Sequence, residues 1–329
     1  MKMRRLGKNG PEISTIGLGC MRMSSSIGAL APSSDEEGIA TIQAAIDAGI
    51  NFLDTGDYYG MGHNETIVGR ALKDRRNKAL ISVKFGALKN PSGQIIGIDV
   101  SPKAVKNFAT YSLQRLGVDV IDIYQPGRID PDIPVEDTVG AIADLIKEGK
   151  VRYLGLSETG AENLRRAHKV HSVTALEIEY SIGCRFIEKE ILPTARELGI
   201  GIVAYGVVAH GLLAGGLKPA AQRPDAGWPN SRYSGENLKR NLEMIEALEA
   251  IAKEKGISLN QLALAWVLSR GDDVIPLMGM SRRSRIQESL KALDVVLGRN
   301  EILEIDRIIP DGEFLGERVP PSMARLTAK

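Results

Sequence analysis

The chain has 329 residues, 43% hydrophobic and 25% charged, an ordinary globular balance with length enough for a large core. A formal net charge of +1 gives no general attraction for nucleic acid or an anionic membrane, and 5% aromatic content argues against a stacking platform for bases.

Residues 3–6 and 12–14 flank Asn9-Gly10 and predict a small hairpin. Residues 16–19 read as a first buried strand. Ser34 then precedes an acidic first turn and the apolar series Ile39, Ile42, Ala45 and Ile46, a capped helix that Gly49 ends. Strands are expected at 51–53, 79–83, 120–124, 151–156, 173–178, 200–204 and 274–277. Helices are expected at 64–72, 102–116, 134–148, 161–167, 187–198 and 236–255, after Ser258, and at 283–291 and 301–309. A long Gly-rich segment, 206–235, interrupts the alternation. Short βαβ spacings require right-handed parallel crossovers, and eight such units at this length favour a closed (β/α)8 barrel over an open doubly wound sheet. No convincing linker interrupts the chain, so residues 1–329 are read as one domain.

Cys20 and Cys184 are far apart and form no CxxC pair, so neither a disulfide framework nor a cysteine zinc site is expected. The start is basic but lacks an apolar h-region, and no apolar run is long enough to span a bilayer. A cytoplasmic location follows as an expectation.

The chemistry concentrates where strands end. Asp54 closes the strand at 51–53, Tyr59 follows five positions later, and Lys84 ends the strand at 79–83. An ammonium beside a phenol lowers the phenol's pKa, and a carboxylate keeps the ammonium charged and in place. These three residues are therefore the candidate catalytic group, at the barrel face where active sites lie. Tyr58 is a candidate for the substrate mouth, and Trp228, in the Gly-rich segment, for a specificity wall. Gly17-Leu18-Gly19 begins a dinucleotide-like G-x-G, but Arg22 stands where the third glycine belongs, and no P-loop sequence is present. The last strand leads into Met278-Gly279-Met280-Ser281-Arg282-Arg283-Ser284-Arg285. This basic helix start suits a phosphate through exposed N–H groups, the Ser281 hydroxyl and guanidinium groups.

These residues resemble the aldo-keto reductase superfamily. The marks are Gly49-Ile50-Asn51-Phe52-Leu53-Asp54-Thr55, Tyr59-Gly60 with Asn64-Glu65, Asp122-Ile123-Tyr124, Gly155-Leu156-Ser157-Glu158, Glu179-Tyr180-Ser181, Ala204-Tyr205-Gly206 and the closing Gly316-Glu317-Arg318. The resemblance implies an NADPH-dependent carbonyl reductase, with Tyr59, Asp54 and Lys84 as three members of the family's tetrad. The fourth, a histidine, falls on Gly127. That departure either opens space for a bulkier substrate or leaves the role to a neighbour such as Arg128 or His63. The implied cofactor contacts are Gly19, Cys20, Met21, Asp54, Ser157, Glu177 (usually Gln), Tyr205 as the ring-stacking aromatic, Gly206 (usually Ser), Gly211, Leu212 and Gly279. For the adenosine 2′-phosphate and adenine they are Ser281, Arg282, Arg285, Glu288 and Ser289. A carboxylate at 177 accepts from a carboxamide NH2 but cannot donate to its oxygen. A small-molecule carbonyl compound is the expected partner, and self-association into a homo-oligomer is left open. The alternative within this resemblance is an NADP(H)-binding regulatory or redox-sensing protein with little turnover.

Overall fold

The computed structural model describes residues 1–23, 34–214, 231–280, 282–319 and 321–328. The chain opens with the expected hairpin, β1 (Met3–Arg5) paired antiparallel with β2 (Glu12–Ser14). Strands β3 (Gly17–Gly19), β4 (Phe52–Gly56) and β5 (Leu80–Phe85) follow. A second hairpin of β6 (Ala87–Lys89) and β7 (Ile95–Ile98) then projects before β8 (Ile121–Pro126), β9 (Val151–Ser157), β10 (Val173–Glu179), β11 (Gly201–Tyr205) and β12 (Val274–Gly279). Pairing runs β3-β4-β5-β8-β9-β10-β11-β12 and returns to β3, a closed parallel barrel of eight strands. The predicted (β/α)8 architecture is the one observed.

The helices form where the sequence supplies caps. In α1 (Asp35–Asp47) the Ser34 side chain accepts from the Glu37 N–H. After α2 (His63–Leu72), α3 (Pro102–Leu116) starts with Ser101 as cap and proline in the first turn, and stops at Gly117 with φ of 64°. Then come α4 (Val135–Lys147), α5 (Ala161–Val170), α6 (Ile191–Leu198), α7 (Gly235–Glu254), α8 (Leu259–Leu268), α9 (Ser284–Lys291) and α10 (Arg299–Ile308). Ser258 and Gln261 form a reciprocal capping box on α8. Two local expectations are corrected. The helix predicted from 187 begins at Ile191, after a 3-10 turn over Phe186–Glu188. The β6–β7 hairpin was not anticipated; its turn is held by Asn90, whose Oδ1 accepts from the Gln94 N–H at 3.0 Å. Among the described residues no helix is long and apolar enough to cross a membrane.

The strand period of two sorts side chains into two cores. Outward residues such as Ile81, Val83, Leu156, Ile178 and Ile202 join the helices in the main core. Inward residues Phe52, Ile123, Ala175, Val203, Ile275 and Leu277 form a separate cluster with Leu6 and Ile13 of the first hairpin. The hairpin therefore plugs the N-terminal end of the lumen. Gly201 makes room for the plug, since a Cβ there would lie 2.7 Å from Leu6 Cδ1. The plug leaves the C-terminal end of the barrel, where barrel active sites lie, as the place for chemistry.

Candidate active site

The same inward parity that fills the lower lumen with apolar side chains places Asp54, Lys84, Gln125, Ser157 and Glu177 one or two layers higher. Register confirms their adjacency: Gly56 lies opposite Lys84, Lys84 opposite Gln125, and Ser157 opposite Glu177. Asp54, Lys84, Gln125 and Glu177 are each no more than 3% exposed. Lys84 Nζ donates to Asp54 Oδ1 and also lies 3.1 Å from Glu177 Oε1. Glu177 Oε2 accepts from Gln125 Nε2 at 2.6 Å, and that amide also reaches Ser82 Oγ at 3.0 Å. Gln125 in turn needs Gly155, where a Cβ would sit 2.9 Å from Gln125 Oε1.

Two carboxylates thus share one ammonium. Burial works against the charge on Lys84, but Asp54 and Glu177 outweigh it and hold its pKa well above the usual value. Burial, and then the adjacent Glu177, push Asp54 well above the usual carboxylate range despite Lys84. Its second oxygen, Oδ2, is buried with no hydrogen-bond partner. With the proton on Asp54, the ammonium and one carboxylate charge balance.

Tyr59 comes to this cluster through a tight turn. Gly60, Met61 and Gly62 all have positive φ, which reverses the chain directly after Tyr59 and starts α2. The ring lies against bare backbone, because a Cβ on Gly56 would be 3.4 Å from its Cε2 and Cζ. Lys84 Nζ is 5.4 Å from the ring centroid, so the structure does bring phenol and amine together. Asn64 pins the turn by accepting from Thr55 Oγ1 at 2.7 Å and donating to the Cys20 carbonyl at 2.7 Å. Lys84 draws the phenol's pKa down as expected, but burial is the larger effect and the net shift is upward. The lysine's charge is already compensated by its two carboxyl neighbours.

Tyr58 meets Tyr59 edge to face, with centroids 4.8 Å apart. Its hydroxyl lies beside Gly127, where a Cβ would be 3.1 Å from Tyr58 Oη. Tyr58 therefore borders the space beside Gly127 that one reading of this departure gives to a bulkier substrate. Arg128 donates to the Gly127 carbonyl at 2.6 Å, and its Nε is buried without a partner. His63 pairs with Asp35 at 2.9 Å.

The opposite rim is an ionic lattice that the sequence reading did not assign. Tyr205 donates its hydroxyl to Glu158 Oε1 at 2.8 Å, which fixes the ring at the mouth. Arg318, from the C-terminal tail, bridges Glu158 at 2.8 Å and Glu179 at 3.2 Å. Arg232 adds a second cation to Glu179 at 3.3 Å. Burial alone would raise Glu158, but Arg318 outweighs it and holds the carboxyl below its usual range.

The remaining predicted cofactor residues divide. Met21 and Gly279 are exposed and Gly19 is partly so. Gly206 and Gly211 adopt φ of 68° and 100° in the turns after β11. Arg282 is exposed and enters no ion pair among the described residues, whereas Arg285 pairs with Glu288 at 2.7 Å. Cys20, Leu212 and Ser289 are buried at 0%, 1% and 2% exposure. Cys20 also uses its N–H on the Asp54 carbonyl and its carbonyl on Asn64. Burial of these three side chains counts against direct contact through them. Glu177 is likewise committed to Lys84 and Gln125. Ser281 and Trp228 lie outside the described residues.

A groove of about 1510 Å³ lies at the other end of the barrel, lined by Met1, Arg4, Thr15, Arg196 and Asp272 among others. It faces the N-terminal strand ends, away from the buried ionisable cluster, and barrel chemistry belongs to the C-terminal face.

The aldo/keto reductase family profile matches residues 15–310. A probable aldo-keto reductase 1 from Glycine max is 39% identical over 318 residues, covering 95% of this chain and 90% of that protein. Among solved structures, the glycerol dehydrogenase AKR11B4 from Gluconobacter oxydans superposes with a TM-score of 0.83 at 28% identity, covering 97% of this chain and 98% of its own. The holo form of aldo-keto reductase AKR11C1 from Bacillus halodurans gives 0.77 at 27%, covering 94% and 96%. The matched span takes in every barrel strand and ends just beyond α10, so the chain belongs to the aldo/keto reductase family and is an oxidoreductase of carbonyl compounds.

Proposed function

We propose that the chain, acting as one barrel domain, uses NADPH to reduce an aldehyde or ketone to an alcohol, with Tyr59 as proton donor. The observation that carries this reading is the Lys84 ammonium, clamped by Asp54 and Glu177 and set 5.4 Å from the Tyr59 ring at the barrel mouth. When bound, the reduced nicotinamide supplies the hydride. Tyr59 keeps its proton at neutral pH and gives it to the oxygen as that oxygen becomes an alkoxide. Lys84 stabilises the negative charge left on the phenol, and Asp54 and Glu177 hold Lys84 in place.

The residues fit such a cofactor. Tyr205 offers a ring fixed through its hydroxyl, while Ser157, opposite Glu177 in the strand register and 1% exposed, would serve the carboxamide only with a shift of its neighbours, and Glu177 is already engaged. Arg282 offers an exposed guanidinium with no carboxylate partner among the described residues, suited to the 2′-phosphate, with Arg285 alongside. Gly127 takes the place of the family's tetrad histidine.

Tyr59→Phe should lower kcat on carbonyl compounds on the order of 10³-fold without lowering the melting temperature. Near-normal reduction by that variant overturns the assignment. Tight NADPH binding by the wild type, with no turnover on any aldehyde or ketone, identifies a regulatory binding protein instead.

A further inference from the structure

A carbonyl oxygen held for Tyr59 must sit between the ends of β4, β5 and β8. Two walls of that space are Tyr59, in the turn after β4, and Lys84, near the end of β5. The third wall is the turn after β8, where Gly127 presents no side chain. What borders the space there is a hydroxyl: Tyr58 Oη lies 3.1 Å, and Tyr58 Cε1 3.3 Å, from the position a Cβ on residue 127 would take. None of the hydrogen bonds among the described residues uses the Tyr58 hydroxyl, and its ring is held by the edge-to-face contact with Tyr59.

We infer that Tyr58 is a second catalytic phenol, donating a hydrogen bond to the same carbonyl oxygen that Tyr59 protonates, and that Gly127 exists to leave room for it. The inference rests on the reading of Tyr59 as proton donor and extends it. The reaction balances with one proton transferred: hydride from the nicotinamide forms the C–H bond, the Tyr59 O–H bond breaks to form the alcohol O–H, and Tyr58 keeps its proton throughout. Burial raises the Tyr58 pKa in spite of Lys84 and Arg128, so the hydroxyl stays a donor through the neutral range. A preorganised donor aimed at a developing oxyanion is worth more than one that must turn toward it. The adjacency of Tyr58 and Tyr59 in sequence fixes the two hydroxyls to one turn.

The pairing of Tyr58 with Gly127 makes the idea testable by a double-mutant cycle on reduction of 4-nitrobenzaldehyde with NADPH. Tyr58→Phe should lower kcat on the order of 100-fold, with KM changed far less. Gly127→Ala places a methyl 3.1 Å from the hydroxyl, tighter than ordinary contact, and should lower kcat in the same direction by displacing it. In the Tyr58→Phe background Gly127→Ala should then add little, because the hydroxyl it displaces is already gone. A second readout is the infrared carbonyl stretch of 4-nitrobenzaldehyde bound with the oxidised cofactor, which should lie at lower frequency in the wild type than in Tyr58→Phe. Unchanged kcat in Tyr58→Phe, fully additive losses in the double variant, or identical carbonyl frequencies overturn the inference while Tyr59's role stands. A wild type that reduces no carbonyl compound overturns both. Were Tyr58→Phe to misfold, Gly127→Leu decides, since a side chain extending past a Cβ already 3.1 Å from the hydroxyl must displace it: normal kcat in that variant overturns the inference.

Discussion

The lower and upper halves of the barrel lumen are built by the same strands and the same inward parity, yet they carry opposite chemistry. Below, Phe52, Ile123, Ala175 and Val203 close around Leu6 and Ile13 in a sealed apolar layer. Above, the next inward positions on those strands are Asp54, Gln125, Glu177 and Tyr205, with Lys84 from β5. Two residues along each strand separate a plug from a set of buried ionisable groups. The lower half provides the rigidity against which the upper half can hold charges out of water, since buried charge is tolerated only when its partners are fixed. The two halves should therefore fail differently.

The largest effect is expected in the upper half. Lys84→Met leaves Asp54 and Glu177 facing each other without their cation. It should cost roughly 3–5 kcal/mol of stability, as for breaking a buried ion pair, and lower carbonyl reduction by at least about 10³-fold. Chemical denaturation and steady-state rates measure the two losses. Retained activity would show that Tyr59 does not depend on the ammonium.

The lower half should respond to Leu6→Ala with lost stability alone. Leu6 is fully buried, and truncation leaves a cavity in the plug that should cost about 2–5 kcal/mol. At temperatures below its lowered transition, kcat should match the wild type. A parallel loss of kcat would mean that the plug also positions the mouth, and the division into two halves would not hold.

Most of the lower half was legible in the sequence, because period-two strands, helix caps and an Asn-Gly hairpin are local signals. The β6–β7 hairpin escaped because its strands are short and bury no residue fully, with little alternation to reveal them. In the upper half, Asp54, Tyr59 and Lys84 were legible from their places at strand ends. Gln125 was not singled out, although its parity with Ile123 points it inward. The bridges from Arg318 to Glu158 and Glu179 join residues far apart in the chain, which no local pattern encodes. At Gly127 the missing side chain suggested room, but the filler, Tyr58, comes from another turn.

A smaller effect tests how dry the upper half is. Asp57 is 7% exposed, neither carboxyl oxygen has a well-formed hydrogen bond, and burial together with Glu65 raises its pKa to about 7. The folded state then keeps a proton that the unfolded chain loses near pH 4. The contribution of Asp57 to stability is full below about pH 4 and is lost as pH rises toward 7, by at most roughly 4 kcal/mol for a shift of this size. Asp57→Asn removes this dependence, so its melting temperature should gain on the wild type steadily from pH 4 to pH 8. A difference that stays constant over that range would mean Asp57 is ionised in the fold.

The finest test concerns the doubled carboxylate. Glu177 adds to the negative charge around Lys84 and pushes the Tyr59 pKa up, against the pull of the ammonium. Glu177→Gln keeps the shape and allows a hydrogen bond with Gln125, but removes that charge. While Asp54 keeps its proton, Lys84 then acts on Tyr59 with one fewer competing anion; Asp54 also loses the neighbour that raises its pKa, so its ionisation is the competing outcome. The phenol must be protonated to serve as donor, so the alkaline limb of the kcat profile for reduction should move to lower pH, with little change in rate at neutral pH. If the limb stays in place, Asp54 has taken over the charge that Glu177 gave up, and the two acids must be treated as a single titrating pair.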